Sequence, residues 1–190
     1  MHLVLSLPGI ANLGNAAQAV VAALTLGVAP GDAVRAVGRV AEVAGRYSRH
    51  DVDGRRVRMM LAKNPAGWQE AMAMVDPGVD QVVVAVNGQV PDGQDLSWLW
   101  DVDFAALDTG GARRVVACGE RGRDLQVRLE YAGIHCLRTD TPLEAIEACE
   151  PGRVELLANY TAFRDLKRVL DHRGGDAAAR GGTRGSEEGQ

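Results

Sequence analysis

The stretch Val115-Val116-Ala117-Cys118-Gly119-Glu120-Arg121-Gly122-Arg123-Asp124-Leu125-Gln126-Val127-Arg128-Leu129-Glu130-Tyr131-Ala132-Gly133-Ile134-His135-Cys136-Leu137 decides the fold. Its first apolar run, 115–118, has no polar interruption, the pattern of a short strand buried on both faces. A glycine turn follows, Leu125, Leu129 and Ala132 then recur at helical spacing, and a second apolar run comes at 134–137. Strand, helix and strand in so short a span make a parallel crossover unit.

The alternation extends in both directions. Apolar runs at 57–62, 82–86 and 154–158 predict further buried strands, and Leu143, Ile146 and Cys149, then Phe163, Leu166 and Leu170, predict helices. The expected fold is α/β: a Rossmann-like three-layer sandwich with a mainly parallel sheet over 47–172. Ahead of it lies a helical unit. Leu13, Ala16, Ala17, Val20, Val21 and Leu24 follow helical spacing up to Gly27, and Val34, Val37, Val40 and Ala41 form a second helix with Asp32 placed to cap it. The last stretch, 173–190, is rich in Gly, Arg and Glu and is expected to be a disordered tail, because it buries too little surface to offset chain entropy.

With 190 residues and 46% apolar content the chain holds one substantial core and a smaller satellite. The 21 basic and 25 acidic residues leave a net charge of −4, which argues against nucleic acid as a partner. Three cysteines, Cys118, Cys136 and Cys149, have no CxxC spacing, so neither a disulfide framework nor a metal site is implied, and a cytoplasmic location fits. No apolar run approaches the length of a membrane helix, and Pro8 and Gly9 break the run at the start, against a signal peptide.

Four segments could hold chemistry. Asn12 and Asn15, three apart at a helix start, suit either capping or hydrogen bonding to the edge of a planar heterocycle. Arg46, after Ala44-Gly45, is either a phosphate clamp or a solvated arginine after a glycine cap. Lys63 and Asn64 leave a strand at its carboxyl end, where α/β sheets bind ligands, although Asn64-Pro65 also suits a tight turn into a helix. The fourth, 87–104, packs Asp92, Asp95, Asp101 and Asp103 beside Trp98 and Trp100 in a chain only 4% aromatic. Exposed aromatics beside carboxylates mark contact surfaces; against that, Asp95 or Ser97 can cap a short helix and the tryptophans can be core. Asn159 or Thr161 is expected to cap the last helix, and the pair His135-Cys136 reads as core. No complete nucleophilic triad is in sequence reach, and Cys118-Gly119-Glu120-Arg121 lacks the further glycines of a dinucleotide fingerprint.

Taken in order, LPGIANLGNAAQA (7–19), AGRY (44–47), LAKNPAGW (61–68), DGQDLSWLWDVDF (92–104), CGERGRDLQVRLEYAG (118–133) and ANYTAF (158–163) resemble the C-terminal region of the MurT family, over residues 5–170. The resemblance implies a Mur ligase that pairs as a heterodimer with a GatD-type glutaminase, the complex amidating the D-glutamate of lipid II with ATP and glutamine. It implies that Asp95 completes a catalytic triad with the partner's cysteine and histidine. Asn12 and Asn15 correspond to the adenine-contacting helix start, Arg46 to a hinge arginine near the nucleotide, and Lys63 to the first strand-end loop. Residues 1–46 then correspond to the end of the central ATP-binding domain. The GTNGKT-like phosphate loop and four-cysteine zinc ribbon of the family are absent from this sequence, so ATP and Mg belong to the complete enzyme and tight binding to this chain alone is not expected. The working place implied is the inner face of the membrane, where lipid II is presented. A stand-alone protein-interaction module of Mur ligase descent, with no catalytic role, is the alternative expectation.

Overall fold

The computed structural model describes residues 4–43, 45–93, 95–108 and 113–182. Each predicted apolar run contributes to one six-stranded sheet of order β1-β2-β6-β3-β4-β5, with β1 Tyr47–Val52, β2 Arg55–Leu61, β3 Gln81–Ala85, β4 Arg114–Cys118, β5 Cys136–Arg138 and β6 Gly152–Ala158. All pairings are parallel except β1 with β2. Val83 at the centre is in register with Val116 on one side and Leu156 on the other.

β3 (QVVVA) and β4 (RVVAC) are apolar beyond their first residue because both faces of the sheet are covered there. Val82 and Val84 pack toward α3 (Pro65–Ala73) and α4 (Gly122–Tyr131), in one core with Trp68, Phe104, Leu125 and Leu129. Val83 and Ala85 pack toward α5 (Pro142–Glu147) and α6 (Tyr160–Gly182), in a second core with Ile146, Phe163 and Leu166. This is the three-layer α/β sandwich expected.

Several local readings changed. β1 has no apolar run, yet Asp53 (φ 50°) and Gly54 (φ 79°) form the two-residue left-handed turn that matches strand twist, and a hairpin results. β5 begins only at Cys136, because Gly133 (φ 79°) ends α4 and Ile134 N–H bonds back to the Leu129 carbonyl at 3.0 Å. Of the pair read as core, Cys136 is half-buried and packs against the first core, while His135 is exposed. α6 continues past residue 172 to Gly182, while 183–190 lie outside the described residues.

The helical pair is α1 (Ile10–Thr25) and α2 (Pro30–Gly38). Gly27 (φ 85°) closes α1 as expected, with Val28 N–H donating to the Ala23 carbonyl at 3.0 Å. Asp32 does not cap α2; the N-cap is Ala29, Pro30 opens the helix, and Asp32 in the first turn pairs with Arg35. α1 rests on α3: Ala11 N–H donates to Glu70 Oε1 at 3.2 Å, and Gly9 lies so near Met74 that a Cβ there would sit 2.6 Å from its sulfur. Among the described residues no helix is long and apolar enough to cross a membrane.

Candidate functional site

At the carboxyl ends of β3 and β6 two buried asparagines join the loops. Asn87 N–H donates to Asn159 Oδ1 at 3.0 Å, and Asn159 Nδ2 donates to the Asn87 carbonyl at 2.7 Å. Glu120 extends the network, accepting from Gly88 N–H at 3.1 Å and Gln89 Nε2 at 2.8 Å. With Asn159 so engaged, the cap of α6 comes from elsewhere: Asp92 accepts the Thr161 N–H at 3.0 Å and the Thr161 hydroxyl. The expected local cap is thus replaced by a carboxylate 69 residues away, which also fixes where the following loop leaves the sheet.

That loop contains two 3₁₀ turns, Ser97–Asp101 and Phe104–Leu107, which bury Leu99, Phe104 and Leu107. Leu99, Val102, Phe104 and Leu107 are buried, and half-buried Trp98 stacks on Trp68 with centroids 6.0 Å apart. Trp98 is therefore core, while Trp100 remains 57% exposed. Asp103 accepts the Ala105 N–H at 3.1 Å, a local turn role.

Asp95 is exposed at this edge. Its Oδ1 accepts the Ser97 N–H at 2.8 Å and its Oδ2 accepts the Ser97 hydroxyl at 3.0 Å. The backbone donor first, then the hydroxyl, hold the carboxyl below the ordinary aspartate range, so it is ionised at neutral pH. The bonds are local and the group faces solvent: the carboxylate is oriented without being enclosed. Asp95 and Trp100 line a common cleft of about 330 Å³ with Arg121, Asp124 and Val127.

A larger cleft of about 610 Å³ opens between the helical pair and the sheet. It brings together Asn12, Asn15 and Arg46, with Leu61, Glu70 and Met74 on the opposite wall. Asn12 Nδ2 donates to the Pro8 carbonyl at 2.6 Å, which ties down one end of the amide; Asn15 and Arg46 are exposed. Ala44 of the AGRY segment lies outside the described residues. Tyr47, 4% exposed, lines the same cleft, with the Arg49 guanidinium 5.5 Å from its ring centroid. Lys63 is exposed in the loop between β2 and α3, outside this lining. Asn64 caps α3, accepting the Gly67 N–H at 2.9 Å, so its side chain is occupied by the turn.

Nucleophilic chemistry is not poised in the described chain's own thiols: burial pushes Cys136 up to about 11 and raises Cys118 and Cys149 as well. Among the described residues no group of three His, Cys, Asp or Glu could hold a metal ion. Two features escaped the sequence reading. The Asp-x-Ser spacing signals a side chain to backbone turn and could have named Ser97 as the group that orients Asp95. The contact between Trp100 and Tyr131 joins different elements and has no local signal.

Solved Mur ligases share the architecture. UDP-N-acetylmuramate-alanine ligase MurC from Thermotoga maritima aligns with TM-score 0.64 at 18% identity, over 91% of this chain and 40% of that one. MurF from Acinetobacter baumannii aligns with TM-score 0.64 at 18% identity, over 88% and 38%. In sequence, the chain is 28% identical over 173 residues to the lipid II isoglutaminyl synthase (glutamine-hydrolyzing) subunit MurT of Streptococcus pneumoniae, covering 87% of this chain and 39% of that protein. It is 30% identical over 92 residues to the subunit of the same name from Staphylococcus aureus strain COL, covering 47% and 21%. The family model for the MurT ligase C-terminal region matches residues 61–163, more than half of the chain. This chain belongs to the MurT ligase C-terminal family.

Proposed function

We propose that this chain acts as the C-terminal part of a MurT subunit of lipid II isoglutaminyl synthase, docking a GatD-type glutaminase and supplying the acidic member of its catalytic triad. The observation behind this is Asp95: an ionised, exposed carboxylate at the sheet's carboxyl edge, oriented by Ser97 and open on its outer side. Such a carboxylate accepts the Nδ1–H of a partner's imidazole, fixes its tautomer and stabilises its cation, while the partner's cysteine attacks glutamine. The relatives' name, a glutamine-hydrolyzing synthase subunit, fits that division of labour.

In the same reading the cleft beside the helical pair receives the adenosine end of ATP. Its volume is within the range of small-molecule sites, the carboxamides of Asn12 and Asn15 suit a heterocycle edge, and Arg46 suits a phosphate. ATP supplies the activation of the acceptor carboxylate, with Mg on its phosphates; Asn12, Asn15, Val37, Val40 and Arg46 line one wall of the binding cleft. The complex works on lipid II at the inner membrane face.

The test mixes the chain with its cognate GatD-type glutaminase and measures glutamine hydrolysis. Asp95→Asn keeps the shape and removes the charge, and kcat should fall roughly 10³ to 10⁴-fold, as for other triads that lose their aspartate. An unchanged kcat would remove the triad role and leave a docking module without catalytic part.

A further inference from the structure

Beside Asp95 stands an exposed aromatic ridge. Trp100 is 57% exposed and Tyr131, at the end of α4, 77% exposed; their rings meet edge to face with centroids 5.4 Å apart. Val127, one helical turn before Tyr131, is 46% exposed. The ridge is braced from below by Arg128. Its Nε donates to the Leu99 carbonyl at 3.0 Å and its Nη2 to the Val102 carbonyl at 2.5 Å, and its guanidinium lies 5.5 Å from the centroids of both Trp100 and Phe104. Large aromatic side chains already held in place lose little freedom when covered, and Trp, Tyr and Arg are the residue types on which binding energy concentrates.

We propose that Trp100, Val127 and Tyr131, braced by Arg128, form the anchor on which the glutamine-hydrolysing subunit seats. The inference rests on the reading of Asp95 given under Proposed function and names the surface that reading requires. An imidazole bonded to Asp95 must come within about 3 Å of it. A stable interface covers roughly 800 Å² on each partner. Asp95 and Trp100 line one cleft, so a footprint of that size over the carboxylate also covers the ridge.

Charge favours this occupant over a second copy of the chain. Asp95, Asp101, Asp124 and Glu130 are exposed around the ridge and outnumber the exposed cations there, Arg123 and Arg121, the latter 3.7 Å from Asp124, so a two-fold contact through the ridge would bring an excess of carboxylates toward their own copies. A partner presenting basic residues meets the same rim with attraction, and its association weakens as salt rises.

The experiment measures the Kd of the full chain for its cognate glutamine-hydrolysing subunit by titration calorimetry, with sedimentation of the chain alone. Trp100→Ala and the double variant with Tyr131→Ala should raise Kd roughly 30-fold or more, the hot-spot threshold; Trp100→Phe, which keeps a ring, should recover much of the affinity. Val127→Lys, an exposed helix position that accepts lysine, gives a second route that leaves the aromatic contacts intact and places a cation in the acidic rim, so it should also weaken binding. Wild-type affinity in the double variant and in Val127→Lys would overturn the anchor and leave the Asp95 reading standing. Failure of the unaltered chain to bind would remove both. A homodimer of the chain that Trp100→Ala dissolves, with affinity for the hydrolysing subunit unchanged, would overturn the proposal in favour of self-association.

Discussion

Both oxygens of the Asp95 carboxylate accept hydrogen bonds from Ser97, one from its amide and one from its hydroxyl, so the plane of the group is set from one side only. Donors to the charged form depress the carboxyl pKa, and the sign has a consequence. If Asp95 serves in the proposed complex, the acid limb of glutamine hydrolysis should follow groups of the partner, because the Ser97 donors hold the Asp95 carboxyl below the ordinary aspartate range. Ser97→Ala keeps the carboxylate but frees its plane. The expected result is a kcat lowered about tenfold, the scale of one charge-assisted hydrogen bond, with Ser97→Thr restoring it. A wild-type kcat in Ser97→Ala would show that the hydroxyl does not position the group. The exposure of Asp95 and its serine partner follow from two residues of local spacing and were open to sequence reading. The tie from Asp92 to Thr161 was not, because it depends on β3 and β6 being neighbours.

Helices and strands were legible where one force dominates. Apolar runs gave the parallel strands because both faces are buried, and the charged residues that interrupt 57–62 and 154–158, Arg58 and Glu155, pair with each other across β2 and β6 at 2.6 Å. β1 was missed because its sequence, YSRHDV, is polar; the Asp53-Gly54 turn was the available signal. In α1 the helical period was right, but it says nothing of what covers the face: only Ala16 is buried, while Leu13 and Val21 are more than half exposed. What α1 does determine is the cleft. Its first turn, resting on Glu70 and Met74, sets Asn12 and Asn15 opposite the end of β2. If adenosine enters there, saturation-transfer NMR with AMP should label the adenine protons in the presence of the chain. Asn15→Ala combined with Arg46→Ala should cut that signal several-fold, and an unaltered signal would place nucleotide elsewhere.

Across the whole molecule, the cleft and Asp95 both gather at the carboxyl side of one mainly parallel sheet, where loops are free to vary without disturbing the layers. The cleft belongs to the β2 side with the helical pair, and the Asp95 surface to the β3 and α4 side, so a nucleotide and a protein partner could be held together without competing for one surface. The chain spans about two fifths of its pneumococcal relative. The sharpest question is whether the carboxylate of one polypeptide governs the basicity of an imidazole in another. With the hydrolysing subunit labelled by ¹⁵N-histidine and saturated with the unlabelled chain, the pKa of its catalytic imidazole can be followed by NMR. It should lie higher with the unaltered chain than with Asp95→Asn, by roughly 1 or more, as for a cation beside a carboxylate. Superimposable titration curves for the two complexes would contradict the assignment of Asp95.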